Sequence, residues 1–487
     1  MSRKFDYDVL IIGGGPTGVT LASLLARRDV SVIVAEKEAE IFPLPRAAHI
    51  DHEGMRILQE AGAVEAVMAT SRRADRYEFR NARGNLLLCF DGAEKIGPGG
   101  WPVANMIHQP SVEAALRSAL AEQQNAELRS QWEMLSFEDD GEGVTANFLT
   151  PDGERVVRAR YLVGADGARS PVRKACNIAF EDLGFEEPWL VVDVMVDDPS
   201  RLPGANLQIC DPARPTTCVL MGEGRHRWEF MILPGEKPEE LSEDSSIARL
   251  LAPWKVKGAV RIERKAVYTF RARIAQEWRK GRIMLAGDAA HQTPPFAGQG
   301  LCSGLRDASN LAWKLAAVIH AEADDALLDT YQPERAPNLR ATIDMAIMMG
   351  RMVCTTSRIG AAIRDLKFRL ARMLGKLPDG PLAYPPISAG AVRAGSPAAG
   401  SYFPQLIAND GTRLDDVLGS DAWLINRHDC DQGRLSPFAS DLLSWFDYHS
   451  AEAVLVRPDR HVFATGSADQ LKLEWKTISA KELMQRQ

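Results

Sequence analysis

No two of the seven cysteines stand in a CxxC. Cys89, Cys176, Cys210, Cys218, Cys302, Cys354 and Cys430 are too scattered for the tight, even spacing that staples secreted domains. Reduced thiols in a cytoplasm are therefore expected, and no metal site. Long apolar runs are also missing: no window reaches the roughly 18 residues of a membrane-spanning helix, so no membrane partner is expected. A basic excess is absent, with 58 Lys and Arg against 65 Asp and Glu and a formal charge of -7. Without a positive field, nucleic acid is not an expected partner, although Arg225, His226 and Arg227 form a local basic cluster. The start, MSRKFDYDVLIIGGG, has no small-residue cleavage site and reads as structure, not as a targeting segment. No internal repeat is visible.

What is present is the ordinary mixture of a globular protein, 45% apolar and 25% charged, over 487 residues. That length exceeds a single core and implies two or three domains. The first strong signal is YDVLIIGGGPTGVTLASLLARRDVSVIVAEK. An apolar run meets Gly13, Gly15 and Gly18 in GxGxxG spacing, followed by a helical pattern and a second apolar run ending at Glu36. Gly13 permits the tight turn, Gly15 lets a pyrophosphate approach, and Gly18 lets helix and strand sit close. The helix N-terminus, reached through Pro16 and Thr17, then meets negative charge. Glu36, followed by Lys37, can accept from ribose hydroxyls and repels a 2′-phosphate, which favours FAD or NAD over NADP here. A disulfide reductase would need a second GxGxxG and an early cysteine pair, and neither exists. Instead RYLVGADGARSPVRKA carries Asp166 and Gly167, and GRIMLAGDAAHQTPPFAGQGLCSGLRDASNLAWKL carries Gly287 and Asp288.

The ordered set of GxGxxG, DG and GD motifs resembles the single-component FAD-dependent aromatic hydroxylases, the family of para-hydroxybenzoate hydroxylase. Within it, PPFAGQGLCSGLRDASNLAWKL, PRAAHIDHEGMRILQEAG and CDPARPTT look closest to 3-(3-hydroxyphenyl)propionate hydroxylases. The resemblance implies an α/β protein. A Rossmann-like FAD-binding domain (1–75, 104–180 and 276–376) would carry an inserted β-sheet substrate domain (76–103 and 181–275). A linker (377–400) would lead to a thioredoxin-like C-terminal domain (401–487). It further implies a monooxygenase that takes FAD as cofactor, NADH or NADPH as co-substrate and O2, and hydroxylates a phenol through a flavin C4a-hydroperoxide.

By the same resemblance, Gly13, Gly15, Gly18 and Glu36 would hold the ADP half of FAD, and Gly287 and Asp288 the ribitol. Arg46 and Gln109 would lie on the flavin side, Pro295 would wall the ring's edge, and Gly298, Gln299, Gly300 and Leu301 would bring backbone N–H groups to its pyrimidine end. Asp166 and Arg169 would serve NAD(P)H access, or else pin strand to loop. A helix N-terminus would lower the Cys302 thiol, yet no base or redox partner is evident, so packing is its expected role. His291 is a candidate base for the phenol proton by type and position, and equally a candidate structural histidine.

The substrate side is expected between the two acid-glycine motifs. In RHRWEFMIL, Trp228, Phe230 and Ile232 share one face and Arg227, Glu229 and Met231 the other. Trp228 and Phe230 could roof the pocket or be core. Arg214 or Arg225 could meet a substrate carboxylate or simply lie on the surface. In the tail, Cys430 is the only cysteine, which excludes dithiol chemistry and leaves packing or homodimer formation. The fold equally admits an olefin epoxidase, a polyketide hydroxylase or a flavin-binding protein without turnover.

Overall fold

The computed structural model describes residues 4–43, 46–92, 95–376 and 384–479. The apolar run Tyr7–Ile12 forms the first strand, β1, which is buried from Val9 onwards because it has parallel neighbours on both sides. The helix Pro16–Ala26 (α1) and the strand Val32–Glu36 (β2) complete a βαβ unit. Around it the sheet runs in the order Ile283–Leu285, Gly153–Gly164, β1, β2, Ala126–Ser130, all parallel. Its three motifs thereby come together. Gly13, Ala165 to Gly167, and Gly287 to Asp288 follow the carboxyl ends of three adjacent strands. Hydrogen bonds from Ala165 N–H to Ile12 O (2.8 Å) and from Ala286 N–H to Gly164 O (3.0 Å) hold those ends level. That is where open α/β sheets bind their ligands.

A second, mostly antiparallel sheet of eight strands starts at His291–Gln292. It continues through Val260–Ala275, Phe180–Val196, Arg225–Met231, Thr216–Leu220 and Asn206–Cys210, and ends on Arg76–Asn81 and Leu86–Asp91. Its pairing register decides which side chains face the flavin domain. Trp189, Val191 and Asp193 stand opposite Met231, Glu229 and Arg227, and Thr217 stands opposite Glu229. This face meets the rest of the molecule through Phe296 and Arg46. The alternate residues, Leu190, Val192, Val194, Trp228 and Phe230, pack with Ile247, Leu251 and Val256 into a separate core. Trp228 and Phe230 therefore do not roof a pocket over the flavin. They are fully buried on the far side of the sheet, covered by the domain's own helix Asp244–Leu251.

Two long helices, Gly300–Ile319 and Tyr331–Val353, follow. The first is buried from Cys302 to Ala317 and packs along α1. The beginning of the expected linker, residues 377–383, lies outside the described residues, and from 384 to 400 the chain forms no helix or strand. The C-terminal unit is an all-antiparallel sheet, Trp423–Asn426, Ala453–Val456 and Val462–Gly466, with helices Ala439–His449 and Ala468–Ile478. No helix among the described residues is long and apolar enough to cross a membrane.

Candidate active site

The glycine loop shows why its spacing is fixed. Gly13 has φ +110°, and a Cβ there would overlap the Ala165 carbonyl. A Cβ at Gly18 would overlap the Gly13 carbonyl, so α1 can sit this close to its strand only with glycine at both places. Gly15 differs: nothing stands within 4 Å of where its Cβ would be. Helix α1 has Pro16 in its first turn, no acidic residue there and no side chain capping its N-terminus, so its first N–H groups face that open space. Glu36 closes the loop by accepting from Gly14 N–H (2.7 Å) and Glu38 N–H (2.9 Å). Lys37 is exposed, 3.6 Å from Glu38.

The carboxyl-end groove continues past Thr17, whose Oγ1 fills the space beside Gly287, where a Cβ would stand 2.7 Å away. Asp288 is half exposed and faces Arg46 at 3.8 Å. Buried Gln109 fixes the Arg46 segment, its Oε1 accepting from Arg46 N–H (3.1 Å) and Ala47 N–H (2.8 Å). On the neighbouring strand end, Asp166 accepts from Val172 N–H (2.9 Å) and its other oxygen is buried without a partner. Burial pushes its carboxyl up. Gly167 follows with open space around it, and Arg169 is exposed.

Beyond Asp288 the chain turns through Pro295–Ala297 into the helix Gly300–Ile319, again without a side-chain cap and with open space at Gly300. Pro295 is exposed, Leu301 is half-buried, and buried Gln299 accepts from Arg306 (3.2 Å). The Gly298 carbonyl lies 3.2 Å from His49 Nδ1. His291 does not open onto this groove. It is 1% exposed, with Nε2 2.6 Å from Asp307. Asp307 also accepts from Gly287 N–H (3.1 Å) and Arg335 Nε (3.0 Å), so one carboxylate ties the GD strand end, His291 and two helices together. Burial raises the Asp307 carboxyl, but His291 and Arg335 outweigh it and hold it below its ordinary range. Of the two roles open to His291, its burial and its bond to Asp307 fit the structural one. Cys302 is wholly buried, and burial, reinforced by Asp51, pushes its thiol well up against the pull of Arg306.

The two open, uncapped helix N-termini suit the anionic pyrophosphate and the electron-rich end of a reduced flavin, and Asp288 between them suits a hydroxyl-bearing chain. The residues present therefore fit FAD. Above the loop, Phe296 is ringed by Phe185, Trp189 and Phe270 at centroid distances of 5.8, 5.7 and 6.0 Å. Its carbonyl accepts from Tyr77 O–H (3.0 Å), Tyr77 accepts from Gln208 (2.7 Å), and Gln208 accepts from Thr217 (2.7 Å). Beside them Asp193 takes Arg227 (2.6 and 3.1 Å) and Arg264 (3.1 Å), and Arg227 donates to the Arg46 carbonyl (2.8 Å). These polar residues line the inward sheet face. Arg214, a candidate for a substrate carboxylate or for the surface, grips Glu236 (2.7 and 2.5 Å) and the Met231 carbonyl (2.8 Å), and Arg225 is bound to Glu263 and Glu223. Alternation in RHRWEFMIL separates the two faces, but nothing local tells which face turns inward. Asp307 could have been suspected only from its place in GLRDAS, sixteen residues after His291.

Residues 6–346 match the model of the FAD binding domain family. A probable NADH-specific resorcinol 4-hydroxylase of Rhodococcus jostii (strain RHA1) is 35% identical over 491 residues, covering 94% of this chain and 91% of that protein. A 3-(3-hydroxy-phenyl)propionate/3-hydroxycinnamic acid hydroxylase of Mycobacterium sp. (strain JLS) is 36% identical over 510 residues, covering 93% and 88%. Among solved structures, aklavinone-11 hydroxylase in a ternary complex with FAD and aklavinone superimposes with a TM-score of 0.78 at 26% identity, covering 98% of this chain and 99% of that one. With its three strand-end motifs gathered into one groove, the chain belongs to the FAD binding domain family of flavin-dependent aromatic hydroxylases.

Proposed function

We propose that the protein hydroxylates a phenol, using FAD, NADH or NADPH, and O2. When bound, FAD supplies the chemistry that accepts a hydride and activates oxygen. The chain's residues bind, orient and enclose. Gly13, Gly15, Pro16, Thr17, Gly18 and Glu36 hold the ADP half, with Lys37 at its edge. Asp288, Gly287 and Arg46, the last steadied by Gln109, hold the ribityl chain. Pro295 and the backbone of Gly298 to Leu301 meet the ring, where N–H groups stabilise negative charge without adding a mobile cation. Asp166, Gly167 and exposed Arg169 lie on the side we assign to NAD(P)H access.

The observation that carries this reading is the aromatic and polar packing between Phe296 and the inward sheet face, directly against the loop assigned to the flavin. Such packing excludes water from a reactive ring, as oxygen transfer to a phenol requires. The substrate hydroxylated by both relatives in sequence is a phenol with a meta substituent, which supports resorcinol or a 3-substituted phenol here. The seven free cysteines support a reducing, cytoplasmic setting. For the C-terminal unit, the order strand, helix, two strands, helix supports a thioredoxin-like scaffold without dithiol chemistry. The test is NADH and NADPH oxidation with a panel of 3-substituted phenols, recorded with peroxide yield. Acceleration by one phenol with little peroxide is expected. A rate that no phenol accelerates would contradict the proposal.

A further inference from the structure

Glu229 is a buried acid that none of the FAD contacts uses. It sits on the inward sheet face, with Oε1 3.7 Å from Arg227. Among the described residues no N–H or O–H group donates a hydrogen bond to it. Asp193, the other acid of this cluster, has no exposed surface and is occupied by Arg227 and Arg264, whereas the Glu229 side chain keeps 8% of its surface. The groups facing Glu229 are Arg227 on its own strand, Asp193 on Phe180–Val196 and Arg264 on Val260–Ala275, with Tyr77 from Arg76–Asn81 under its charge. Tyr77, which feels the charge of Glu229, donates to the Phe296 carbonyl, so the sheet face that carries the acid touches the loop assigned to the flavin.

We propose that Glu229 takes the proton of the bound phenol. The inference rests on the phenol reading above. In the step, the phenol O–H bond breaks, the proton passes to a Glu229 carboxylate oxygen, and the electron pair stays on the phenol oxygen. From there it enriches the ring carbons ortho and para to it, the positions an electrophilic oxygen attacks. The negative charge moves from Glu229 to the phenolate, still within the field of Arg227 and Arg264. Burial pushes the Glu229 carboxyl up to about 7, with Arg227 and Arg264 pulling it down and Asp193 pushing it up. A proton acceptor tuned near neutrality is the most effective kind.

The test uses the FAD-loaded wild type, Glu229→Gln and Glu229→Asp, with resorcinol as probe. The first readout is the ultraviolet difference spectrum of resorcinol bound without oxygen or NADH, across pH. The wild type should show a phenolate band at a pH where free resorcinol is neutral, and Glu229→Gln should lose it with its flavin spectrum intact. The second readout is resorcinol-dependent NADH oxidation. It should fall about 100-fold or more in Glu229→Gln, recover partly in Glu229→Asp, and recover with a fluorinated resorcinol whose hydroxyl is more acidic. A phenolate band and rate unchanged in Glu229→Gln would overturn the proposal, as would equal loss with both resorcinols and the band retained. A wild type that turns over phenols but binds resorcinol without ionising it would overturn the proposal alone. A wild type that neither binds nor turns over any phenol would overturn the phenol reading, and the proposal with it.

Discussion

At Gly18 a single missing methyl group lets the helix sit against the loop we propose to hold FAD. A Cβ there overlaps the Gly13 carbonyl, and that atom is backbone, which cannot swing aside. Gly18→Ala is expected to yield a folded but colourless protein, its FAD affinity down by about tenfold or more, as measured by flavin absorbance after gel filtration. Cys302 predicts the opposite outcome. It is wholly buried, Asp51 N–H reaches its sulfur at 3.5 Å, and its thiol stays protonated. Cys302→Ser should keep FAD and most of the turnover; lost chemistry with retained flavin would give the thiol a role that its surroundings do not. The GxGxxG and GD residues are legible in the sequence because their demands are local, a turn or a close approach fixed by a few neighbours in the chain. Glu229 and Asp307 are not, because their partners come from other strands and helices.

Among elements, the helix Gly300–Ile319 carries the account. Its N-terminus follows the loop we assign to the flavin, and about two turns later Asp307 ties the GD strand end to His291 and Arg335. Asp307→Asn leaves those two partners without their carboxylate, and charge-assisted bonds of this kind contribute about 1.5–3 kcal/mol each. The expected result is a looser loop: weaker FAD binding and more peroxide per NADH consumed, with little change in helix content by circular dichroism. Acid reaches the same state. Because Asp307 is held below its ordinary range, its contribution is complete above the ordinary carboxylate pKa and is lost as pH falls through the lowered folded value. The sheet Phe180–Val196 to Arg225–Met231 shows where sequence reading fails at this scale. Alternation identifies two faces of RHRWEFMIL, yet both are buried here, one against Asp244–Leu251 and one against the flavin domain. Trp228 and Phe230 could belong to core or roof, and they belong to the core behind the sheet, while the inward face is the charged one.

Across the whole molecule, the C-terminal unit is bolted to the flavin domain by buried charges. Arg56 forks onto Asp415 (2.7 and 2.6 Å), and Arg457 bridges Glu334 (2.7 Å) and Asp459 (2.5 Å) while Lys314 meets Glu334 at 2.8 Å. Glu334 lies on Tyr331–Val353, and Asn310 on the flavin-loop helix reaches both Glu334 and Asp459. Removing one member of such a network leaves uncompensated charge, at a cost of about 3–5 kcal/mol. Arg457→Leu should therefore lower the thermal midpoint markedly and weaken flavin retention, although it lies in the C-terminal unit; unchanged melting would mean that the two units are only loosely joined. The central claim concerns oxygen transfer to a phenol, and isotope labelling tests it most directly. Turnover of resorcinol with NADH under 18O2 should give a hydroxylated product that carries one 18O for each NADH oxidised. A product without 18O, or NADH consumed only to form peroxide across all the phenols offered, would contradict it.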